Sequence, residues 1–255
     1  MALYDRFASI YQRGPYLRFS QALAEADLPD YLAEIGFEPS SLLDIACGEG
    51  SFAIGMAKRG HTVVGIDQSQ QMIELARKNA LQANIDVTFM VEDMRTLPQM
   101  RQFDLVTCFF DSLNYLLAVK DLHEAFANAY RVLRPGGLYI FDMNTIYGLA
   151  VDWMRQPTYI QNEAHDFLEI HRQSYDYENQ IAAVEIIVFK QIGDLWERID
   201  EIHEERGYPI ADIQYLLSDI GFEILSIYGS LKKRSEVQTT SPRVWFIARK
   251  PRDTA

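Results

Sequence analysis

Leu42-Leu43-Asp44-Ile45-Ala46-Cys47-Gly48-Glu49-Gly50, running on into Ser51-Phe52-Ala53, is the stretch from which the rest of the chain can be read. A short apolar run stops at two glycines and gives way to helix-forming residues, the pattern of a buried strand, a tight turn and a helix start. Downstream, residues 51–59 read as a helix ended by Gly60, and residues 61–66 as a second strand. A helix at 70–83, strands at 87–91 and 103–109, and a helix at 121–133 follow. Arg134-Pro135-Gly136-Gly137 stops that helix, and residues 138–141 form a fifth strand. Strand and helix alternating at this rhythm predict an α/β fold with a doubly wound, mostly parallel sheet. Right-handed crossovers would line up the strand C-termini along one edge, and ligands bind in the crevice outside that edge.

The rhythm breaks between about Tyr147 and Arg206. Strand-like segments at 167–172, 182–189 and 196–203 are joined by polar turns at Glu178-Asn179 and Gly193-Asp194, which reads as an antiparallel insertion. The first pattern then resumes with a helix at 209–220, opened by Pro209 and closed by Gly221, and strands at 222–228 and 243–249. These bring the expected Rossmann-like sheet to seven strands. Upstream, Tyr4, Phe7, Tyr11 and Tyr16 lead into apolar residues at helical spacing from Phe19 to Ile35. The expected organisation is a helical cap at 1–40, a ligand-binding core at 41–146, an inserted β lid at 147–206, and the remainder of the core at 207–255.

A net charge of −12 and a sequence pI near 4.9 argue against nucleic acid as a partner, because phosphate contacts need a basic face. The only basic cluster noted is Lys232-Lys233-Arg234. No segment approaches 18 uninterrupted apolar residues, so no membrane association is expected. The opening Met1-Ala2-Leu3-Tyr4-Asp5-Arg6 lacks a signal-peptide layout, which makes the cytoplasm the expected compartment. Cys47 and Cys108 are too few and too far apart for a disulfide framework or a zinc site, and no metal is expected. The insertion offers edge strands that could pair across a homodimer.

Gly48, Gly50 and Ala53 satisfy a loose dinucleotide pattern. Asp44 speaks against it, since a carboxylate beside the turn repels a pyrophosphate and welcomes a ligand with an ammonium and a sulfonium. Asp67, ending the second strand, suits a ribose diol in either case. Asp93-Met94, ending the third, can meet an adenine amino group and ring or can cap a helix. The fourth strand delivers Asp111, Asn114 and Tyr115 to the same edge.

Leu43 to Gly50, Val64-Gly65-Ile66-Asp67-Gln68-Ser69 with Met72, Glu92-Asp93-Met94, Phe103 to Thr107 and Leu133 to Gly137 resemble, in order, the signatures of class I S-adenosylmethionine-dependent methyltransferases. Tyr4 to Ala8 with Tyr11, Asp111 to Tyr115, Phe141 to Asn144 and Asp200 to Arg206 with Tyr208 are similar to a branch of small bacterial methyltransferases with a β lid. That branch includes sugar amine N,N-dimethyltransferases.

The resemblance implies that Asp44 and the backbone of Ala46, Cys47, Gly48 and Gly50 hold the methionine end of S-adenosylmethionine. It implies ribose contacts from Asp67, flanked by Gln68 and Met72, and adenine contacts from Asp93 and Met94. The backbone near Cys108 would face the amino group, with Tyr11 and Tyr16 closing the site. A sulfonium methyl is already activated, so alignment and water exclusion carry most of the catalysis; alignment alone can be worth roughly 7–11 kcal/mol. Base candidates are Asp111, Asp142 with Asn144, and His203. Asn114, Tyr115, Tyr147, Arg206 and Tyr208 are candidates for a small-molecule acceptor whose methylated atom is nitrogen or oxygen. Alternatives are an NAD-dependent oxidoreductase on the same fold and a cofactor-binding module without turnover. An RNA or protein methyltransferase is a weaker one.

Overall fold

The computed structural model describes residues 8–11 and 16–252 of the chain. It opens with α1 (Ala8–Tyr11), α2 (Tyr16–Ala22), a π-helical stretch (Leu23–Asp27) and α3 (Leu28–Glu34). The alternating core follows: β1 (Ser41–Ile45), α4 (Ser51–Lys58), β2 (Thr62–Asp67), α5 (Gln70–Ala83), β3 (Thr88–Val91), β4 (Phe103–Cys108), α6 (Val119–Val132) and β5 (Leu133–Asn144). Next come the lid strands β6 (Thr158–Ala164), β7 (Phe167–Asp176), β8 (Ile181–Ile192) and β9 (Leu195–Arg206). α7 (Ile210–Ile220), β10 (Glu223–Tyr228) and β11 (Arg243–Arg249) return to the core.

The main sheet has seven strands in the order β10-β11-β5-β4-β1-β2-β3. β1 pairs in parallel with both β2 and β4, while β11 runs antiparallel to β5 and β10. This is the mostly parallel, doubly wound sheet expected from the alternation. Every residue of β1 is buried, as a central strand covered on both faces must be. Strand order reverses at β1, where the chain steps to β2 on one side and β4 on the other, and a ligand crevice opens at such a point. Among the described residues no helix is long and apolar enough to cross a membrane.

Local chemistry sets the ends of the helices that flank the crevice. Ser69 caps α5 by accepting from the Met72 N–H at 3.2 Å, and Asn84 closes it in the left-handed conformation. Gly50 starts α4 at φ +84°, and a methyl group there would sit 2.8 Å from the Phe89 ring. Both the backbone angle and the space demand glycine. Gly50→Ala is expected to destabilise the fold by about 1–3 kcal/mol, read as a lower denaturation midpoint.

Two differences from the sequence expectation have physical causes. β5 is longer than residues 138–141 and runs through Pro135-Gly136-Gly137. Lys250 pairs with that turn from outside, accepting from the Gly136 N–H at 2.8 Å and donating to the Gly137 carbonyl at 3.0 Å. The lid has four strands rather than three, in the order β6-β7-β8-β9. β6 is an edge strand, half exposed and without strict alternation, so it carried little periodic signal.

Candidate functional site

Two cavities meet at the C-terminal edge of the sheet. The first, 310 Å³, is floored by the β1–α4 turn and walled by the ends of β2, β3 and β4. Asp44, Ala46, Cys47, Gly48, Asp67, Gln68, Met72, Asp93 and Met94 all line it, as does Tyr11 from α1. The structure thus brings together most of the residues proposed for the cofactor. Gly50 and Cys108 lie outside the lining; Gly50 shapes the turn, and Cys108 is fully buried at the end of β4. The side chain of Tyr16 lies outside the described residues.

The turn is tensioned. Ala46 and Gly48 adopt φ of +56° and +54°. The Asp67 carboxylate accepts from the Gly48 N–H and from the Ser69 N–H, both at 2.9 Å, and so ties the first turn to the second strand. Asp44 is buried in β1 and accepts from the Thr107 hydroxyl at 2.9 Å. Burial pushes its carboxyl up to about 8; the Thr107 bond opposes this, and the nearby Asp67 and Glu49 carboxylates add to it. Glu49 is itself buried and raised by burial, while it accepts from Ser51 and Asn79.

Three carboxyl groups therefore converge on one turn. Phe19, Phe52, Phe109 and Phe110 supply aromatic faces to the same cavity. This suits a ligand with ammonium and sulfonium charge and repels a pyrophosphate. At the far wall Asp93 pairs with Arg95 at 2.6 Å, and Arg95 reaches Asp121 at 3.1 Å. Hydrogen bonds from Arg95 hold the Asp93 carboxyl below its ordinary value.

The second cavity, 710 Å³, lies between the sheet edge and the inner face of the lid. It shares Phe110 and Tyr115 with the first. Asp111, Asn144, His203, Glu205 and Arg243 line it, with Trp153, Tyr159 and His171 on the lid side. Tyr115 Oη lies 3.2 Å from His203 Nδ1, and His203 Nε2 lies 3.0 Å from Glu201. Glu205 accepts from Asn144 Nδ2 at 2.8 Å, and burial first, then Asp111, raises its carboxyl well above the ordinary value.

The geometry places several of the acceptor-side candidates outside the cavity linings. Asp142 is fully buried and lines neither cavity. Its carboxylate accepts from the N–H groups of Phe110, at 2.7 Å, and Asp111, at 3.2 Å, and pairs with Arg243. Phe110 and Asp111 both have left-handed backbones, at φ +61° and +53°, and Asp142 is the anion that holds them there.

Asn114 is also fully buried. Its amide donates to the carbonyls of Asn144 and Arg206, and its oxygen accepts from the Asn144 N–H, which staples the lid to the core. Arg206 donates to the Leu117 carbonyl at 2.8 Å, and Tyr208 donates to that of Leu116. Tyr147, Arg206 and Tyr208 are absent from both linings; the Tyr147 hydroxyl accepts from Arg155. Asp142→Ala is expected to cost about 1–3 kcal/mol of stability by leaving two N–H groups unsatisfied and Arg243 with Asp111 alone as its carboxylate partner. A denaturation curve checks this, and lost turnover with an unchanged midpoint would return Asp142 to the reaction.

Sequence reasoning passed over Arg243, Phe110, Tyr159 and His171. The two lid residues had a faint signal: Glu169, His171 and Gln173 alternate on one face of β7, where an inward face should be apolar. Among the described residues no three His, Cys, Asp or Glu side chains group so as to hold a metal.

Known proteins match this architecture. The family model for the methyltransferase domain matches residues 42–137. YqeM of Bacillus subtilis (strain 168), which carries a methyltransferase name, is 30% identical over 254 residues, 97% of each chain. The crystal structure of an S-adenosylmethionine-dependent methyltransferase from Clostridium acetobutylicum ATCC 824 superposes with a TM-score of 0.84. It is 24% identical, over 98% of this chain and 100% of that one. The S-adenosylmethionine-bound amino pentose methyltransferase CalS10 from Micromonospora echinaspora superposes at 0.72 with 19% identity, over 98% of each chain.

Proposed function

The chain belongs to the S-adenosylmethionine-dependent methyltransferases, and from that premise we propose that it methylates a nitrogen or oxygen of a small molecule held beneath the β lid. The observation that supports this reading best is the junction of the two cavities at Phe110 and Tyr115. On one side stand three carboxyl groups and an aromatic wall suited to a cationic nucleoside. On the other stands a larger polar chamber closed by the lid.

S-Adenosylmethionine supplies an activated methyl group on a sulfonium. Asp44 and the Ala46–Gly48 turn would receive its amino acid end, Asp67 its ribose, and Asp93 with Met94 its adenine. The acceptor lies in the lid chamber with its reactive atom at Tyr115. As the acceptor atom gains the methyl group, its proton passes to the Tyr115 oxygen, and the Tyr115 proton moves to His203 Nδ1. Glu201 then stabilises the imidazolium through Nε2. Asp111, Asn144, Glu205 and Arg243 shape the chamber and exclude water rather than take the proton.

Calorimetry with S-adenosylhomocysteine and with NADH tests the cofactor half. Micromolar binding of the first and none of the second is expected, and the reverse sinks the reading. A homocysteine-release screen across amines, hydroxylated metabolites and sugar nucleotides tests the acceptor half. Turnover confined to nucleic acid or protein substrates would overturn it.

A further inference from the structure

The lid chamber holds a second copy of the arrangement at Tyr115. Tyr159 Oη lies 3.1 Å from His171 Nδ1, and His171 Nε2 lies 2.7 Å from Glu169 Oε1. Tyr159 and His171 face the chamber and are absent from the cofactor cavity, so this copy stands away from the methyl donor. His171 is buried, Tyr159 is half-buried, and Glu169 is fully buried beside His171. A surface-facing Tyr–His contact needs no buried carboxylate behind it; a group that must present one polarity to a ligand does.

The polarity follows from the bonding. A carboxylate only accepts, so the hydrogen of a neutral His171 sits on Nε2 and Nδ1 is left as an acceptor. Tyr159 therefore donates to His171 and turns its oxygen lone pairs toward the chamber. Burial and the Glu169 charge raise the Tyr159 hydroxyl, which keeps that proton in place. The same reasoning at His203 makes Tyr115 an acceptor too. Both phenols thus call for a hydrogen-bond donor on the ligand. β8 separates His171 on β7 from His203 on β9, which sets the two rows roughly 10 Å apart.

Building on the acceptor site proposed above, we propose that Tyr159, oriented by His171 and Glu169, is a specificity-determining residue that holds a second donor group of the methyl acceptor. The substrate class is then a molecule with two separated hydroxyl or amino groups. One is methylated at Tyr115 and the other is read at Tyr159. His171 acts through Tyr159 and is a positioning residue.

The test uses the full chain saturated with S-adenosylhomocysteine. Titrations compare α,ω-amino alcohols of two to eight carbons with 1-alkylamines of matched length, in the wild type, Tyr159→Phe and His171→Gln. In the wild type one amino alcohol length should bind about tenfold tighter than its alkylamine partner. Tyr159→Phe should erase that advantage while leaving alkylamine affinity unchanged, and His171→Gln should reduce it. Equal affinity of both series in the wild type, no binding by either, or an advantage that survives Tyr159→Phe overturns the proposal. A chain that fails to bind S-adenosylhomocysteine overturns the cofactor reading instead, and this proposal with it.

Discussion

Asp44→Asn is expected to raise the melting temperature while sharply weakening cofactor binding. The carboxyl titrates near 8 in the fold, well above its ordinary value of 3.8. A raised folded value gives stability that is present below about pH 4 and is lost progressively as pH rises toward 8. At pH 7 the folded protein therefore carries a penalty on the order of 4 kcal/mol if the whole shift is recovered. Asparagine keeps an oxygen for the Thr107 hydroxyl and removes the titrating group. The strand centre gains what the binding site loses, the usual exchange between stability and function.

The same carboxyl makes binding pH-dependent. A ligand ammonium needs the carboxylate form, so affinity for S-adenosylhomocysteine should weaken about tenfold for each unit as pH falls below 8. In Asp44→Asn the profile should be flat and weak. Differential scanning fluorimetry and calorimetry between pH 6 and 8.5 check both halves. A variant that melts at or below the wild type, or binds equally well, would place the ligand's charge elsewhere.

Tyr115→Phe should lower turnover by about 10²–10⁴-fold on the acceptor that the homocysteine-release screen identifies. Affinity for S-adenosylhomocysteine should stay within about twofold, because the phenol loses its hydroxyl and keeps its ring at the junction. His203→Gln should act in the same direction. Turnover within about threefold of the wild type would show that alignment alone drives the step and that the relay only positions.

The proposed cofactor half of the site was largely legible in the chain. Asp44, Gly48, Asp67 and Asp93-Met94 each sit at the end of a strand whose pattern announces it, and strand ends in a doubly wound sheet share one edge. Their neighbourhood follows from topology alone. The acceptor half was not legible in this way. Asp142 also ends a strand, yet its carboxylate points at the backbone of Phe110 and Asp111 and at Arg243, 101 residues away. Asn114, an acceptor-contact candidate in the sequence, donates to the carbonyl of Arg206, 92 residues on. Periodicity says which face a side chain takes; it does not say which distant group will neutralise it.

By itself, then, the sequence determined the parallel sheet, the edge that carries the candidate site and the acidic, glycine-bent turn that lines it. These depend on local propensity, apolar period and connection handedness, all carried within a few tens of residues. Only the tertiary structure decided which polar groups are consumed as struts and which face the cavities. Tyr115 meets His203 across 88 residues, and Tyr159 meets His171 on a strand pair whose edge member carried almost no pattern. A buried hydrogen bond takes its partner from whatever the fold brings within about 3 Å, and that is settled by packing between elements rather than by any run of residues.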